Sequence, residues 1–256
     1  MRRLRFGWGL SGAEAAGADA DVVVVVDVLS FTTTLTVAVE TGAEVLPYRW
    51  ADQTAARHAA DRDAVLAVGR SVAGPGDISL SPATIRANPP VPRILLPSPN
   101  GSTISLLTGA RGATVVGAAL RNFSAVARWI ARTQARAVAV IAAGEKREDG
   151  SLRLADEDLW GAGAVITSLR AAEAVDVSPE AEVAAAAYAA VEQDLPAALH
   201  ACESGRELIE MGFAHDVDIA AEVDRCLAVP VLTGDLFVGQ SASLKPSWLA
   251  SKPSEA

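Results

Sequence analysis

A run of five valines, Val22–Val26, constrains the fold of this chain more than any other segment, and Asp27 follows it directly. β-Branched residues without polar alternation are typical of a strand that is covered on both faces. Such strands occur mainly in parallel sheets that lie between layers of helices. The run therefore predicts an α/β protein with a central strand at this position.

Predicted strands and helices alternate along most of the chain, which favours a layered α/β/α fold with a largely parallel or mixed sheet. Further strands are predicted at 43–48, 64–68, 93–96, 114–117, 137–142 and 229–232, and helices at 32–41, 53–60 with Asp52 as the cap, 123–134 and 157–174, with another beginning near Ser102. The last third, rich in alanine and glutamate, predicts several helices, and residues 243–256 predict a tail.

Residues 71–92 gather glycine, proline and serine, a composition that predicts a loop excursion or a domain edge. A length of 256 residues suits one large domain or two small ones. We expect a single domain over residues 1–256, either undivided or built of two subdomains that meet near 71–92.

The charge balance is acidic, with 31 Asp and Glu against 22 Lys and Arg and a net charge of −9. This argues against nucleic-acid binding but allows a small anionic substrate, because a metal or an arginine reverses the field locally. No apolar run approaches the ~18 residues of a membrane span, and the N-terminus lacks the apolar core of a signal peptide. We therefore expect a cytoplasmic protein without membrane contact. Cys202 and Cys226 make neither a metal spacing nor a disulfide framework and predict buried, reduced side chains.

Polar clusters follow the predicted strands at the points where the strands end. The three clusters are Asp27 with Ser30, Thr32, Thr33 and Thr34; Ser98 and Pro99 with Asn100, Gly101 and Ser102; and the loop 144–158, which ends in Asp156, Glu157 and Asp158. Since the carboxyl ends of parallel strands meet at one edge of a sheet, we expect these clusters to share one cleft.

The first cluster combines a carboxylate with a helix start, where free N–H groups and hydroxyls favour an anion such as phosphate. Asp27 beside a bound anion requires a cation between them, and a divalent metal ion would meet this need. The three carboxylates Asp156, Glu157 and Asp158 would complete a hard-metal site with Asp27. Arg70, which follows a strand and a glycine, would grip phosphate or sulfonate.

Each of these features also has a purely structural interpretation. Ser30 and Ser102 are ordinary helix caps, and Asn100-Gly101 is an ordinary tight turn. Carboxylates at 156–158 suit a helix start, and Arg70 suits a solvated surface. The weaker candidates are Arg121 for an anion, Asp77 as a turn residue, and His215-Asp216 as a metal-binding pair.

Several enzyme classes are disfavoured because their motifs are missing. The chain has no G-x-x-x-x-G-K-S/T phosphate loop, no G-x-G-x-x-G dinucleotide fingerprint and no G-x-S-x-G nucleophile elbow. Leu29 stands where a haloacid-dehalogenase phosphatase carries its second aspartate, so that class is disfavoured as well.

An ordered set of segments resembles the 2-phosphosulfolactate phosphatase family across nearly the whole chain. The segment from Asp27 to Thr34 resembles its D-V-L-R-A-S/T-T-T. The others are Gly69-Arg70 for G-x-R, Gly76 to Pro82 for a loop ending in N-S-P, Ser98 to Ser102 for T-T-N-G-T, Gly117 to Asn122 for G-S/A-x-x-N, Ala143-Gly144 with Glu157 to Gly163 for A-G and E-D-x-x-x-A-G, and Asp216 to Pro230 for the closing segment.

The resemblance implies a magnesium-dependent phosphatase that converts 2-phosphosulfolactate and water to sulfolactate and phosphate, on the route to coenzyme M. It also implies an α/β fold and self-association as a homodimer. The matching positions implicate Asp27, Glu157 and Asp158 in catalysis and metal binding, and Thr32, Thr33, Thr34, Arg70, Asn100, Gly101 and Ser102 in substrate binding. Whether Asp27 is a nucleophile or only a ligand stays open.

Two departures from the family pattern bear on the substrate. Ser30 stands where the family usually has arginine, and Ser98-Pro99 replaces a threonine pair. Losing a charge-assisted contact beside the anion costs roughly 1.5–3 kcal/mol. The substrate is therefore expected to be 2-phosphosulfolactate or a related small phosphorylated 2-hydroxy acid. The alternatives are a non-catalytic anion-binding homologue and a lyase of small acidic metabolites.

Overall fold

A computed structural model describes residues 1–49, 52–147 and 149–241, so the predicted tail lies outside the described residues. The strands are β1 Arg2–Trp8, β2 Val22–Val26, β3 Glu44–Tyr48, β4 Val65–Leu66, β5 Arg93–Pro97, β6 Thr114–Ala118, β7 Ala137–Ala142, β8 Glu145–Lys146, β9 Leu152–Arg153, β10 Val175–Val177, β11 Ala228–Thr233 and β12 Leu236–Ser241. The helices are α1 Gly9–Ala15, α2 Phe31–Glu40, α3 Gln53–Asp61, α4 Pro82–Ala87, α5 Gly101–Ala110, α6 Phe123–Ala131, α7 Asp156–Ala172, α8 Pro179–Val191, α9 Leu195–Ala201, α10 Glu203–Glu210 and α11 Ala214–Ala220.

The main sheet is mixed and runs in the order β10-β1-β7-β2-β6-β11-β12-β3-β5-β4, which confirms the predicted fold class. The strands from β10 to β6 pair in parallel, and so do β3, β5 and β4. The hairpin β11-β12 lies between these two parallel segments and pairs antiparallel with both. Three antiparallel pairings therefore separate the two parallel segments, so the strands of one segment run opposite to the strands of the other.

Both faces of β2 are buried, as the valine run predicts. Val22, Val24 and Val26 share an apolar cluster with side chains of α6, α7 and α8. Val23 and Val25 belong to a second cluster, on the opposite face, with side chains of α1, α2 and α5. The strand alternates between two helical layers because successive side chains point to opposite faces.

We infer that the sheet bends where the hairpin joins the two parallel segments, because α2 and α5 each contact strands of both segments. Among the described residues, the pairs Val231 with Val116 and Phe237 with Val45 connect the hairpin to its neighbours. Both α2 and α5 contact strands from the two segments, so these helices lie inside the bend. The bend brings the loop after β5 to the end of β2, although the two strands do not share a carboxyl edge.

Residues 71–92, where we predict a loop or a domain edge, include α4. Ile78 and Ile85 from this stretch pack in the same apolar cluster as Val25 and Ile94. The division into two subdomains stays a prediction. No helix within the described residues is long and apolar enough to cross a membrane.

Candidate active site

Asp27 lies directly after β2 and closes the N-termini of two helices at once. Its Oδ1 accepts a hydrogen bond from Phe31 N of α2 at 3.0 Å, and its Oδ2 accepts one from Gly101 N of α5 at 3.0 Å. Burial raises the pKa of Asp27 to about 6, although both of these N–H donors oppose the rise. The carboxylate is 6% exposed, so its remaining access is through a cavity rather than the outer surface.

Gly101 permits this close approach because it has no side chain. A Cβ at position 101 would lie 2.2 Å from Phe31 Cδ1 and 2.8 Å from Asp27 Oδ2. The neighbouring Asn100 turns its Nδ2 toward Glu145 Oε2, 3.1 Å away. The Asn-Gly pair thus supplies both a backbone donor and an amide donor to carboxylates of the site.

Asp158, in the first turn of α7, accepts hydrogen bonds from the segments that follow β2 and β7. Its Oδ1 accepts a hydrogen bond from Val28 N at 2.7 Å, and its Oδ2 accepts one from Gly144 N at 2.8 Å. Burial and the charges of Asp27 and Glu157 raise the pKa of Asp158 well above its ordinary value. This side chain brings the third predicted cluster next to the first.

Glu157 lies beside Asp158 and is 2% exposed. Burial raises its pKa, while hydrogen bonds with Ser204 and Cys202 oppose the rise. Cys202 and Cys226 are free and buried, as predicted, and burial with the Glu157 charge raises the pKa of Cys202 to about 12. The start of α10 therefore forms one wall around Glu157.

Glu145 is the functional candidate that the sequence reasoning missed. It opens β8, in the loop that follows β7, and burial together with the charges of Asp27 and Glu157 raises its pKa to about 8. The available signal was its place directly after Ala143-Gly144, but acidic residues fill that loop and nothing local distinguishes this one.

Within the part of the chain that the structure describes, Arg70 is the only cationic residue that lines the cavity around Asp27. Its Nε donates to Asp216 Oδ2 at 2.8 Å, and its Nη2 donates to Leu80 O at 3.2 Å and to Ser30 Oγ. Ser30, the departure from the family pattern, is therefore in contact with the guanidinium of another residue.

The hydroxyls predicted to bind substrate have mostly local partners. Thr32 Oγ1 donates to Asp27 O at 2.7 Å, Thr34 Oγ1 to Leu80 O at 2.8 Å, and Ser102 Oγ to Leu96 O at 3.2 Å. Thr33 Oγ1 is buried without a hydrogen-bond partner among the described residues. Substrate binding by these four hydroxyls stays a prediction.

The weaker candidates lie elsewhere or take structural partners. Arg121 is 1% exposed and pairs with Glu40 and Glu222, and Asp77 accepts the Gly74 N–H in a turn. The side chain of His215 is 90% exposed, whereas its neighbour Asp216 is buried on Arg70.

Two adjoining cavities open at the site. The smaller, about 130 Å³, is lined by Asp27, Ser30, Arg70, Asn100 and Glu145 among others. The larger, about 740 Å³, shares Leu29, Arg70 and Glu145 with it. Glu157 and Asp158 line neither cavity, whereas Asp27 and Glu145 are the carboxylates that line the smaller one, within the described residues.

The donor set suits a hard cation held in an open site. No group of three or more His, Cys, Asp or Glu side chains among the described residues is placed to hold a metal ion together. Mg²⁺ does not need one, because proteins usually hold it through one or two carboxylates, with water and substrate phosphate as the other ligands. Asp27 and Glu145 supply such oxygens at the cavity, with Glu157 and Asp158 close behind them.

Comparisons with known proteins identify the family of the chain. The family model described as 2-phosphosulpholactate phosphatase matches residues 12–235. A protein of Thermus thermophilus named "Probable 2-phosphosulfolactate phosphatase" is 32% identical over 211 residues, which cover 81% of this chain and 86% of the relative. A protein of Deinococcus radiodurans with the same name is 31% identical over 210 residues, 80% of this chain and 85% of the relative. With matches of this extent, the chain belongs to the 2-phosphosulpholactate phosphatase family.

Proposed function

We propose that this phosphatase-family chain is a Mg²⁺-dependent hydrolase of a phosphorylated small 2-hydroxy acid, either 2-phosphosulfolactate or a close relative. One observation carries the proposal. A buried carboxylate, Asp27, is fixed by two helix N-termini and faces a cavity of about 130 Å³ that Arg70 also lines. A carboxylate and a guanidinium on one small cavity match an anionic phosphate ester whose phosphoryl group is shared with a metal ion.

The need for a cation follows from the charges that surround Asp27. The charge of Glu157 raises the pKa of Asp27, and the charge of Asp27 raises that of Glu145 and of Asp158. Bringing a phosphate dianion into this group requires a cation between them. When bound, Mg²⁺ supplies charge neutralisation and polarises a phosphoryl oxygen. Asp27 and Glu145, which line the smaller cavity, would hold the Mg²⁺ ion. Glu157 and Asp158 are the further ligands that the sequence predicts.

The other residues orient and enclose the substrate. The N–H groups of Phe31 and Gly101 hold the Asp27 carboxylate in one position, so little reorganisation accompanies the reaction. Arg70 stabilises negative charge on the bound ester through charge-assisted hydrogen bonds. The larger cavity has room for the leaving group next to the phosphoryl site.

The names of the relatives support 2-phosphosulfolactate as the first substrate to examine. Ser30 supports including neighbouring esters, because the position beside the Arg70 guanidinium carries a neutral hydroxyl. A suitable panel is 2-phosphosulfolactate, phospholactate and phosphoglycolate, assayed for phosphate release across a Mg²⁺ titration that begins in EDTA.

We expect release that depends on Mg²⁺ and is lost in Asp27→Asn but kept in Asp61→Asn, an exposed carboxylate on α3. Circular dichroism establishes that both variants are folded. Tight binding of every ester without turnover would instead identify an anion-binding homologue. An organic product without free phosphate would identify a lyase.

A further inference from the structure

Arg70 is anchored at two of its three guanidinium nitrogens. Its Nε donates to Asp216, and its Nη2 donates to Leu80 O and Ser30 Oγ. Within residues 1–49, 52–147 and 149–241, Nη1 makes no hydrogen bond. Because the guanidinium is planar, fixing two nitrogens also fixes the direction of the third. The structure thus presents one cationic N–H edge in a set orientation.

Asp216 is the charged partner that sets this orientation. It lies in the first turn of α11 and is 1% exposed. Its Oδ2 accepts from Arg70 Nε at 2.8 Å, and its Oδ1 accepts from the Ser81 hydroxyl. A buried carboxylate is costly unless charged or polar partners surround it, and these two donors meet that need. The ring of Phe213, the residue before α11, also lies over the cation, with its centroid 6.0 Å from the Arg70 guanidinium carbon.

The position of Arg70 indicates which part of the ester its free edge meets. Arg70 lines both the cavity around Asp27 and the larger cavity beside it. With the phosphoryl group at Asp27, the next atoms of a 2-hydroxy acid ester are the carbon that bears the ester oxygen and the carboxylate on that carbon. The described residues that line both cavities are Leu29, Arg70 and Glu145, so a carboxylate at the junction of the cavities would meet Arg70 as its cation.

We propose that Asp216 is a positioning residue that aligns Arg70 with the carboxylate of the leaving group, and so makes the site selective for esters of 2-hydroxy acids. This inference rests on the proposed function. Asp216 acts only through Arg70, and it touches neither the substrate nor the reacting atoms. The selectivity thereby depends on a residue 146 positions away from the arginine that it controls.

The test compares two esters that differ by one carboxylate, phosphoglycolate and ethyl phosphate, with the full chain in saturating Mg²⁺. Asp216→Ala is expected to raise the KM for phosphoglycolate about tenfold or more, as loss of a charge-assisted contact does, while kcat changes much less. The KM for ethyl phosphate should change less than about twofold, because that ester lacks the carboxylate.

Two further variants separate positioning from folding. Asp216→Asn keeps an oxygen that accepts from Arg70 Nε, so it should recover part of the KM for phosphoglycolate. Asp218→Ala, an exposed carboxylate on the same helix, should leave both esters unchanged. Thermal unfolding of each variant is measured in parallel.

The outcomes are distinct. Equal losses on the two esters, or an unchanged KM for phosphoglycolate in both Asp216 variants, would overturn the positioning role while the proposed function stands. A wild-type protein that releases phosphate from neither ester nor from 2-phosphosulfolactate would overturn the proposed function and this inference with it.

Discussion

Replacing Glu145 by glutamine removes a charge from the site but keeps its hydrogen bond to Asn100 Nδ2. Burial and the nearby charges of Asp27 and Glu157 raise the pKa of Glu145 from 4.5 to about 8. The folded chain thus binds this proton more tightly than the unfolded chain does. The resulting stability is complete below pH 4.5, is lost as the pH rises toward 8, and stays lost above that.

The magnitude follows from the same values. Each pKa unit is worth about 1.4 kcal/mol, so the rise sets an upper limit of about 5 kcal/mol on the cost of ionising Glu145 in the folded chain. The side chain is only partly buried, and water at the cavity mouth screens its charge. We therefore expect Glu145→Gln to be more stable than the wild type by about 2 kcal/mol at pH 9 and by less than about 1 kcal/mol at pH 5.

Urea unfolding at pH 5, 7 and 9 in EDTA measures this difference. Glu210→Gln, which changes an exposed carboxylate on α10, is the matched control and should track the wild type at every pH. A stability difference that does not grow with pH, or a Glu145→Gln variant less stable than the wild type at pH 9, would refute the reasoning. Repeating the series in Mg²⁺ adds a second reading, because a cation held by Asp27 and Glu145 stabilises the wild type more than the variant.

Two more predictions concern packing and thiol chemistry. Gly101→Ala forces a Cβ to within 2.2 Å of the Phe31 ring. Urea unfolding should therefore show a free energy of unfolding lower by about 1–3 kcal/mol, and phosphate release should fall. The control Gly74→Ala, whose Cβ would have its nearest atom at 3.5 Å, should match the wild type in both assays. Burial raises the pKa of Cys202 to about 12 and also raises that of Cys226. Iodoacetamide at pH 8 should therefore label the native chain at least ~100-fold more slowly than the chain in urea. Rapid labelling of the native chain would contradict the buried placement of both thiols.

Local sequence signals predict the central strands and the capped helices well. The valine run becomes β2, residues 137–142 become β7 at the predicted bounds, and Asp52 caps α3 by accepting from Thr54 N. In each case the deciding interactions lie within a few residues along the chain, where composition and spacing record them.

The strand β1 was not predicted because its pattern mixes arginines with apolar residues. Arg2 is nonetheless buried, since its guanidinium donates to Thr133 O and Ala135 O and pairs with Glu173. Those partners lie more than 130 residues away along the chain, so the local sequence around Arg2 does not predict them. The strand β12 likewise depends on its pairing with β11 across a short turn.

The meeting of the clusters after β2 and β5 was predicted, but the reason given for it holds only in part. β2 and β7 do pair in parallel, so Asp27 and the loop that begins at Gly144 follow ends on one edge. β5 belongs to the segment that runs in the opposite sense, and its following loop reaches Asp27 through the bend around α2 and α5. A bend of this kind arises from how the hairpin joins two segments, which no single stretch of sequence encodes.

The helix start after Asp27 is predicted to attract an anion, and the anion that the starts of α2 and α5 hold is the carboxylate of Asp27 itself. The N–H groups of Phe31 and Gly101, at the starts of these helices, therefore donate to the Asp27 carboxylate and are not free to bind phosphate. A phosphoryl group bound here would then depend chiefly on a cation held by Asp27 and Glu145. Arg70 is the only cation that lines both cavities within the described residues, so its orientation decides what meets the rest of the ester. The guanidinium edge that Asp216 fixes is the donor placed for the carboxylate of the leaving group.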